Sequence, residues 1–366
     1  MPEMRIAPGF ERVRAAFLDQ AAAEPEGSAL CVYVDGECVV DLWASNALAA
    51  DAILPVFSST KGVAGIVIAS LVERGTLDLD QAVAAYWPEF GQAGKSAISV
   101  RTLLSHQAGL PGVTGGYDFT QVLEHRGLAA RLAAQRPFWR PGAAHGYHPI
   151  TIGTLADELV LRITGRRLGA VLATELAGPL GADVFIGLPA AERSRATDLI
   201  DAEPAPPPAA ATGYRSVTSA RSGYRGAGEI VNDPRVRAAG QAAVGGMASA
   251  RGLARLYSAC ISNVDGTRLI SPPTVEDVSQ LQTFGPDLVL GDTTSYATMF
   301  QKPRPASPFG SYAAFGHSGA GGSLAYADPC DGIAFGYVPV RMPTPGVPDT
   351  RALRLVQVVQ SCVNER

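Results

Sequence analysis

Lysine is almost missing from this sequence. Of 30 cationic side chains only three are lysines: Lys61, Lys95 and Lys302. Charge of either sign is scarce, 17% of residues against the usual ~25%. The net charge is −4, which argues against a nucleic-acid partner, since that calls for a basic patch. The five cysteines are an odd number with no Cys-x-x-Cys pair, which excludes a disulfide framework and a zinc site by spacing. No run of apolar residues is long enough to cross a membrane. The opening stretch MPEMRIAPGFERVRAAFLDQ lacks the apolar core of a secretory signal. These absences imply a cytoplasmic protein with no membrane partner and no cofactor. The 366 residues, 47% of them hydrophobic, suffice for a large core and about two domains.

Strand signals lie at both ends of the chain. ALCVYVDGECVVDLWA places two apolar runs around Asp35-Gly36, a hairpin signal. GGSLAYADPCDGIAFGYVPV repeats the pattern around Asp328 to Gly332. Helices flank them: Phe10, Val13, Phe17 and Leu18 share one helical face, and DTRALRLVQVVQSCV reads as a terminal helix. The middle is mainly helical. Ser99 starts a short helix, and Ile152, Leu155, Leu159 and Ile163 form the apolar face of another that Gly165 ends. RLGAVLATELAGPLG and GGMASARGLARLYSACI continue the helical pattern. Residues 203–232 are rich in Pro, Ala, Gly and Ser and read as a long surface excursion. The expected fold is therefore α/β plus α. An antiparallel sheet domain built from residues 1–78 and 270–366 carries the terminal helices, and a mainly helical domain, 79–269, is inserted into it, with the active site between them.

Three stretches offer chemistry. In VFSSTKGVAG, Ser58 stands three residues before Lys61 at the head of a helix that runs to about Arg74. That spacing puts both side chains on one face. A serine needs a neighbouring base to become a nucleophile. An amine can serve if burial and the helix dipole lower its pKa. The plain alternative is a serine N-cap with a lysine whose stem lies on apolar surface. The second stretch, GHSGAGGS, approaches a nucleophile elbow at Ser318, but no histidine follows His317, so the chain order of an α/β-hydrolase is impossible. The remaining choices are a strand edge that approaches a substrate and a simple turn. The third, HGYHPIT, offers His145 and His148 without a third metal ligand, and Tyr147 in a loop before a helix. No metal site is expected.

Taken in order, Ser58-x-x-Lys61, Tyr147 and His317-Ser318-Gly319 resemble the motifs of the serine β-lactamase and penicillin-binding-protein superfamily, in its class C-like branch near the family VIII carboxylesterases. The segments RTLLSHQAGLPG, RPGAAHGYHPITIGTLADELV and GGMASARGLARLY are similar to that group too, so the resemblance spans nearly the whole chain. It implies a β-lactamase/transpeptidase-like fold and an acyl-enzyme on Ser58. Lys61 and Tyr147 would share the proton transfers in an order the sequence leaves open. The backbone N–H groups of Ser58 and Ala320 would form the oxyanion hole. Substrate contacts are expected from His317, Ser318, Gly319 and His148. Two departures stand out. His317 occupies the place of the lysine in Lys-Thr-Gly, and Pro149 that of the asparagine in Tyr-x-Asn. Both changes remove recognition of a β-lactam and leave the acyl-transfer residues in place. The expected activity is hydrolysis of small neutral carboxylic esters. The alternatives are an acyltransferase, a β-lactamase or D-amino-acid peptidase, and a non-catalytic relative.

Overall fold

The Asp35-Gly36 turn forms as the sequence implies: both residues take positive φ, 51° and 88°, the backbone of a two-residue hairpin turn. The computed structural model describes residues 4–44, 48–202, 213–218, 226–344 and 349–366. Within these the strands are β1 Arg5–Ile6, β2 Ser28–Val34, β3 Glu37–Ala44, β4 Leu54–Pro55, β5 Val184–Ile186, β6 Gly246–Ala248, β7 Thr283–Pro286, β8 Thr293–Tyr296, β9 Phe315–Ser318, β10 Leu324–Asp328 and β11 Ile333–Pro339. One six-stranded antiparallel sheet runs β1-β3-β2-β11-β10-β9. A small sheet β4-β6-β5 and a hairpin β7-β8 complete the strands. The helices that position the site are α1 Glu11–Ala22, α2 Ser59–Glu73, α3 Val100–Leu104, α4 Thr151–Thr164, α5 Ala250–Ile261 and α6 Arg351–Asn364.

The two faces of the large sheet differ in side-chain size, and the alternation of the strands shows why. Leu30, Val32, Leu324, Tyr326, Ile333, Phe335 and Tyr337 face the terminal helices α1 and α6, which pack on each other. The intervening residues Ala325, Ala327, Ala334 and Gly336 are small, and α5 lies on that side. A Cβ on Gly336 would overlap Ala250 O and Ala254 N of α5. The sequence thus sets a close helix–sheet approach on one face and a bulky core on the other.

Helix α2 is buried from Ser59 to Leu71. It lies between β9 and β10 of the sheet and α4 of the helical part. Its GVAGIVIAS run is apolar on every side, as a helix enclosed by protein requires. Ser99 caps α3, its Oγ accepting from Thr102 N. Gly165, at φ 73°, closes α4. Two expectations change. Leu18 is exposed (41%), because the buried face of α1 runs from the N-cap Phe10 through Val13, Phe17 and Gln20. The segment starting at Gly246 opens with strand β6 before it becomes helix α5. Helix α5 rests on the large sheet. Most of the Pro-rich excursion, residues 203–212 and 219–225, lies outside the described residues.

Gly336→Ala should lower thermal stability by about 1–3 kcal/mol, the usual cost of overpacking. Thermal unfolding of the purified variant measures this, and an unchanged melting temperature would mean that α5 does not sit on β11 as described.

Candidate active site

The chain enters the site through β4 and the buried pair Val56-Phe57. Phe57 takes a positive φ of 44°, unusual for a bulky residue, and turns the chain so that Ser58 precedes the first turn of α2. The three consecutive hydroxyls divide the work. Ser59 Oγ lies 3.0 Å from His317 O and 2.9 Å from Ser323 Oγ, and Ser323 Oγ donates to Val56 O at 2.8 Å. Thr60 Oγ1 donates to Phe57 O (2.5 Å) and accepts from Gly246 N (2.9 Å). Both tie the start of α2 to its surroundings. Ser58 caps nothing, and its side chain faces a cavity of about 220 Å³.

Two groups converge on Ser58 Oγ: Lys61 Nζ donates to it at 3.0 Å and Tyr147 Oη donates at 2.8 Å. Lys61 is fully buried, and its only other hydrogen-bond partner among the described residues is Ala243 O, at 3.0 Å. No carboxylate pairs with it among the described residues, so burial drives its pKa well below the ordinary lysine value. The amine also lies 4.8 Å from the centroid of the Tyr147 ring. The Tyr147 hydroxyl is pushed the other way, well above the usual phenol range, chiefly by burial and against its bond to Ser58. The N–H groups of Ser58 and Ala320 donate to no acceptor among the described residues. Ala320 belongs to a tight loop in which a Cβ on Gly319 would overlap Val56 O and Ser323 Oγ. Only glycine lets that loop approach the start of α2.

This arrangement provides an activated hydroxyl, a buried amine, a phenol and two unpaired amides around one small cavity. The Beta-lactamase family profile matches residues 15–360. The chain belongs to the beta-lactamase family. Within the family it is similar to EstA from Arthrobacter nitroguajacolicus Rue61a, with 38% identity and a TM-score of 0.93 over 100% of this chain and 99% of that one. A family VIII carboxylesterase superimposes with 33% identity and a TM-score of 0.89 over 99% of this chain and 100% of the other. By sequence, the esterase/beta-lactamase LipL of Mycobacterium tuberculosis is 34% identical over 344 residues, covering 87% of this chain and 78% of LipL.

Against this beta-lactamase family frame, the expected substrate contacts divide. Ser318 and Gly319 line the cavity. His317 does not: it is fully buried, its Nδ1 donates to Ser318 O (2.7 Å), and its Nε2 has no partner among the described residues. Burial first, then the nearby Lys61, lowers its pKa to about 3, so it is a neutral packing residue and no substitute for a lysine. His148 is likewise buried and outside the cavity. It accepts from Leu110 N (2.9 Å) and donates from Nδ1 to Gly146 O (2.5 Å), which fixes the loop that carries Tyr147. His145 donates to Thr294 Oγ1, because that hydroxyl's own proton goes to Asp287 Oδ2. Both histidines of the HGYHPIT segment therefore serve the backbone and its neighbours.

Sequence reasoning missed Asp287, which is buried. Its carboxylate accepts from Tyr147 N, Val289 N, Leu290 N and Thr294 Oγ1, all at 2.9–3.0 Å. It thus links the Tyr147 loop to the β7-β8 hairpin that forms a wall of the cavity. His106 and Tyr296 flank the Tyr147 ring, with centroids 5.0 and 5.9 Å away. No motif marks Asp287 or Tyr296, and they meet the Tyr147 loop only in the fold; His106 lies in the RTLLSHQAGLPG segment, but nothing there singles it out.

Lys61→Ala and Tyr147→Phe should each lower kcat by about 10²-fold or more, as for a lost acid or base. Because Lys61 must be neutral to accept a proton, kcat/KM should rise with pH through a midpoint well below the ordinary lysine pKa. The residual activity of Lys61→Ala should lack that limb; a profile that keeps it would assign the titration to another group.

Proposed function

We propose that this protein is a serine carboxylesterase acting on small esters. The observation that carries the reading is Ser58 Oγ held between Lys61 Nζ and Tyr147 Oη, beside two amides without acceptors. The lowered pKa of Lys61 makes the amine the base, and the raised pKa of Tyr147 keeps its phenol protonated as the donor. The Ser58 proton passes to Lys61 as Oγ attacks the ester carbonyl carbon. The oxyanion forms against the N–H groups of Ser58 and Ala320. Collapse breaks the bond to the leaving oxygen, which takes a proton from Tyr147, and Lys61 returns one to the phenolate. Water then gives its proton to the same network and attacks the acyl carbon. The products are an acid and an alcohol, and Ser58 is regenerated.

The cavity size favours short substrates. At about 220 Å³ it is smaller than the ~300 Å³ at which sites for drug-sized ligands begin. Short acyl groups fit this volume better than a bicyclic antibiotic with side chains at both ends. Pro149, in the place where β-lactamases carry an amide, offers such a side chain no hydrogen bond. The relatives named as esterases agree with this reading.

A fluorophosphonate probe should add mass to the peptide containing Ser58, and Ser58→Ala should abolish both labelling and ester hydrolysis. Nitrophenyl acetate and butyrate should be cleaved much faster than nitrophenyl laurate or nitrocefin. Labelling of Ser318 in place of Ser58, or faster turnover of nitrocefin than of the short esters, would overturn the proposal.

A further inference from the structure

The cavity above Ser58 has one charged side chain on its wall among the described residues, Arg304. The sequence stretch Lys302-Pro303-Arg304-Pro305 explains why it stays there. A proline on each side restricts the backbone, and Arg304 exchanges two backbone hydrogen bonds with Ser307, at 3.2 and 2.8 Å. Its Nη1 donates to Thr293 O at 2.7 Å, which holds the guanidinium against the β7-β8 hairpin. That is its only side-chain hydrogen bond to a described residue, and it forms no ion pair with one. The nearby carboxylates do not neutralise it. Asp287 is buried and occupied by its own donors, and the exposed Asp292 makes no contact with the guanidinium.

A second donor stands on the same wall. Gln301 accepts from both the N–H and the hydroxyl of Ser318 at 3.0 Å. An amide hydrogen of Ser318 can only donate, so the acceptor is Oε1, and Gln301 Nε2 is left as a donor with no partner among the described residues. Arg304 is half-buried, and its guanidinium, held in place with no ion pair to a described residue, shares the cavity wall with a free amide donor; together they offer the kind of donors a carboxylate accepts from.

We infer that Arg304, with Gln301, forms a subsite for a carboxylate on the substrate, so that the favoured substrates are short esters carrying a carboxylate a few bonds from the scissile carbonyl. The inference rests on the esterase reading. It revises the neutral substrate implied by the loss of a lysine at 317, because the cation enters the site from another segment of the chain.

Two matched pairs of esters test it, one with the charge on the acyl side and one with it on the alcohol side. These are monoethyl succinate against ethyl 4-methylpentanoate, and 3-acetoxybenzoate against 3-isopropylphenyl acetate. In the wild type, at least one anionic ester should exceed its neutral partner in kcat/KM. That ratio should fall about five- to tenfold in Arg304→Gln and recover in part in Arg304→Lys. Raising the salt concentration should reduce it in the wild type, since the group is partly open to solvent. Equal ratios in wild type and Arg304→Gln for both pairs would sink the inference alone, provided Ser58-dependent turnover of the neutral esters is intact. Failure of the wild type to cleave any of the four would sink the esterase reading and this inference with it.

Discussion

A lysine amine buried without a counter-ion is the constraint on which the site depends. Placing Lys61 in the first turn of α2 forces the helix itself to be enclosed, and the GVAGIVIAS sequence makes that enclosure favourable. The buried amine then has two choices: lose its proton, or be held by oxygen atoms. Ser58 Oγ and Ala243 O supply the oxygens at 3.0 Å. The same desolvation that makes the amine costly to bury lowers its pKa well below the ordinary lysine value. Lys95 and Lys302 show the same physics without the chemistry. Both are buried, their amines are held by backbone carbonyls, and burial brings each pKa down to about 8. A low pKa alone does not make a site. Lys61 differs because a hydroxyl that faces a cavity is one of its partners.

Much of the fold could be read from local patterns. Hairpins, caps and amphipathic faces depend on a few adjacent residues, so Asp35-Gly36, Ser99 and Gly165 announced their roles. The short strands β4, β5 and β6 did not, because two or three residues carry no periodicity and are strands only by pairing with each other. The Ser58, Lys61 and Tyr147 cluster was legible because each belongs to a motif with a fixed place in a family. His317 and His148 belong to the same motifs yet lie buried off the cavity wall: motif position says which segment is near the site, not which way a side chain turns. His317 alternates on β9 into the protein interior, leaving Ser318 to face the cavity. Arg304 and Asp287 lie outside every motif, and only the fold brings them to the site.

Three of the non-glycine positive-φ residues lie around this cluster. Phe57 precedes Ser58, the His106 ring packs on Tyr147, and Met299 N donates to Leu104 O beside it. Each conformation is unfavourable for a residue with a side chain and persists where surrounding contacts over-determine it. Here those contacts are the hydroxyl ties of Ser59, Ser323 and Thr60 and the close loop at Gly319. Rigidity around Ser58 Oγ is thus assembled largely from bonds made by Ser59, Thr60 and Ser323, which do not line the cavity.

Asp287 joins two things that many sites keep apart. It grips the backbone of Tyr147 with one set of contacts and shapes the β7-β8 hairpin with another, and that hairpin carries the carbonyl to which Arg304 is anchored. Recognition and proton delivery therefore share a single mechanical frame. On the proposed mechanism, a ligand that pushed on the hairpin would also move the phenol, because Asp287 holds both. Discrimination in such a frame is expressed in the speed of the chemical step more than in the strength of binding, so a misfit molecule can occupy the cavity and still leave unchanged.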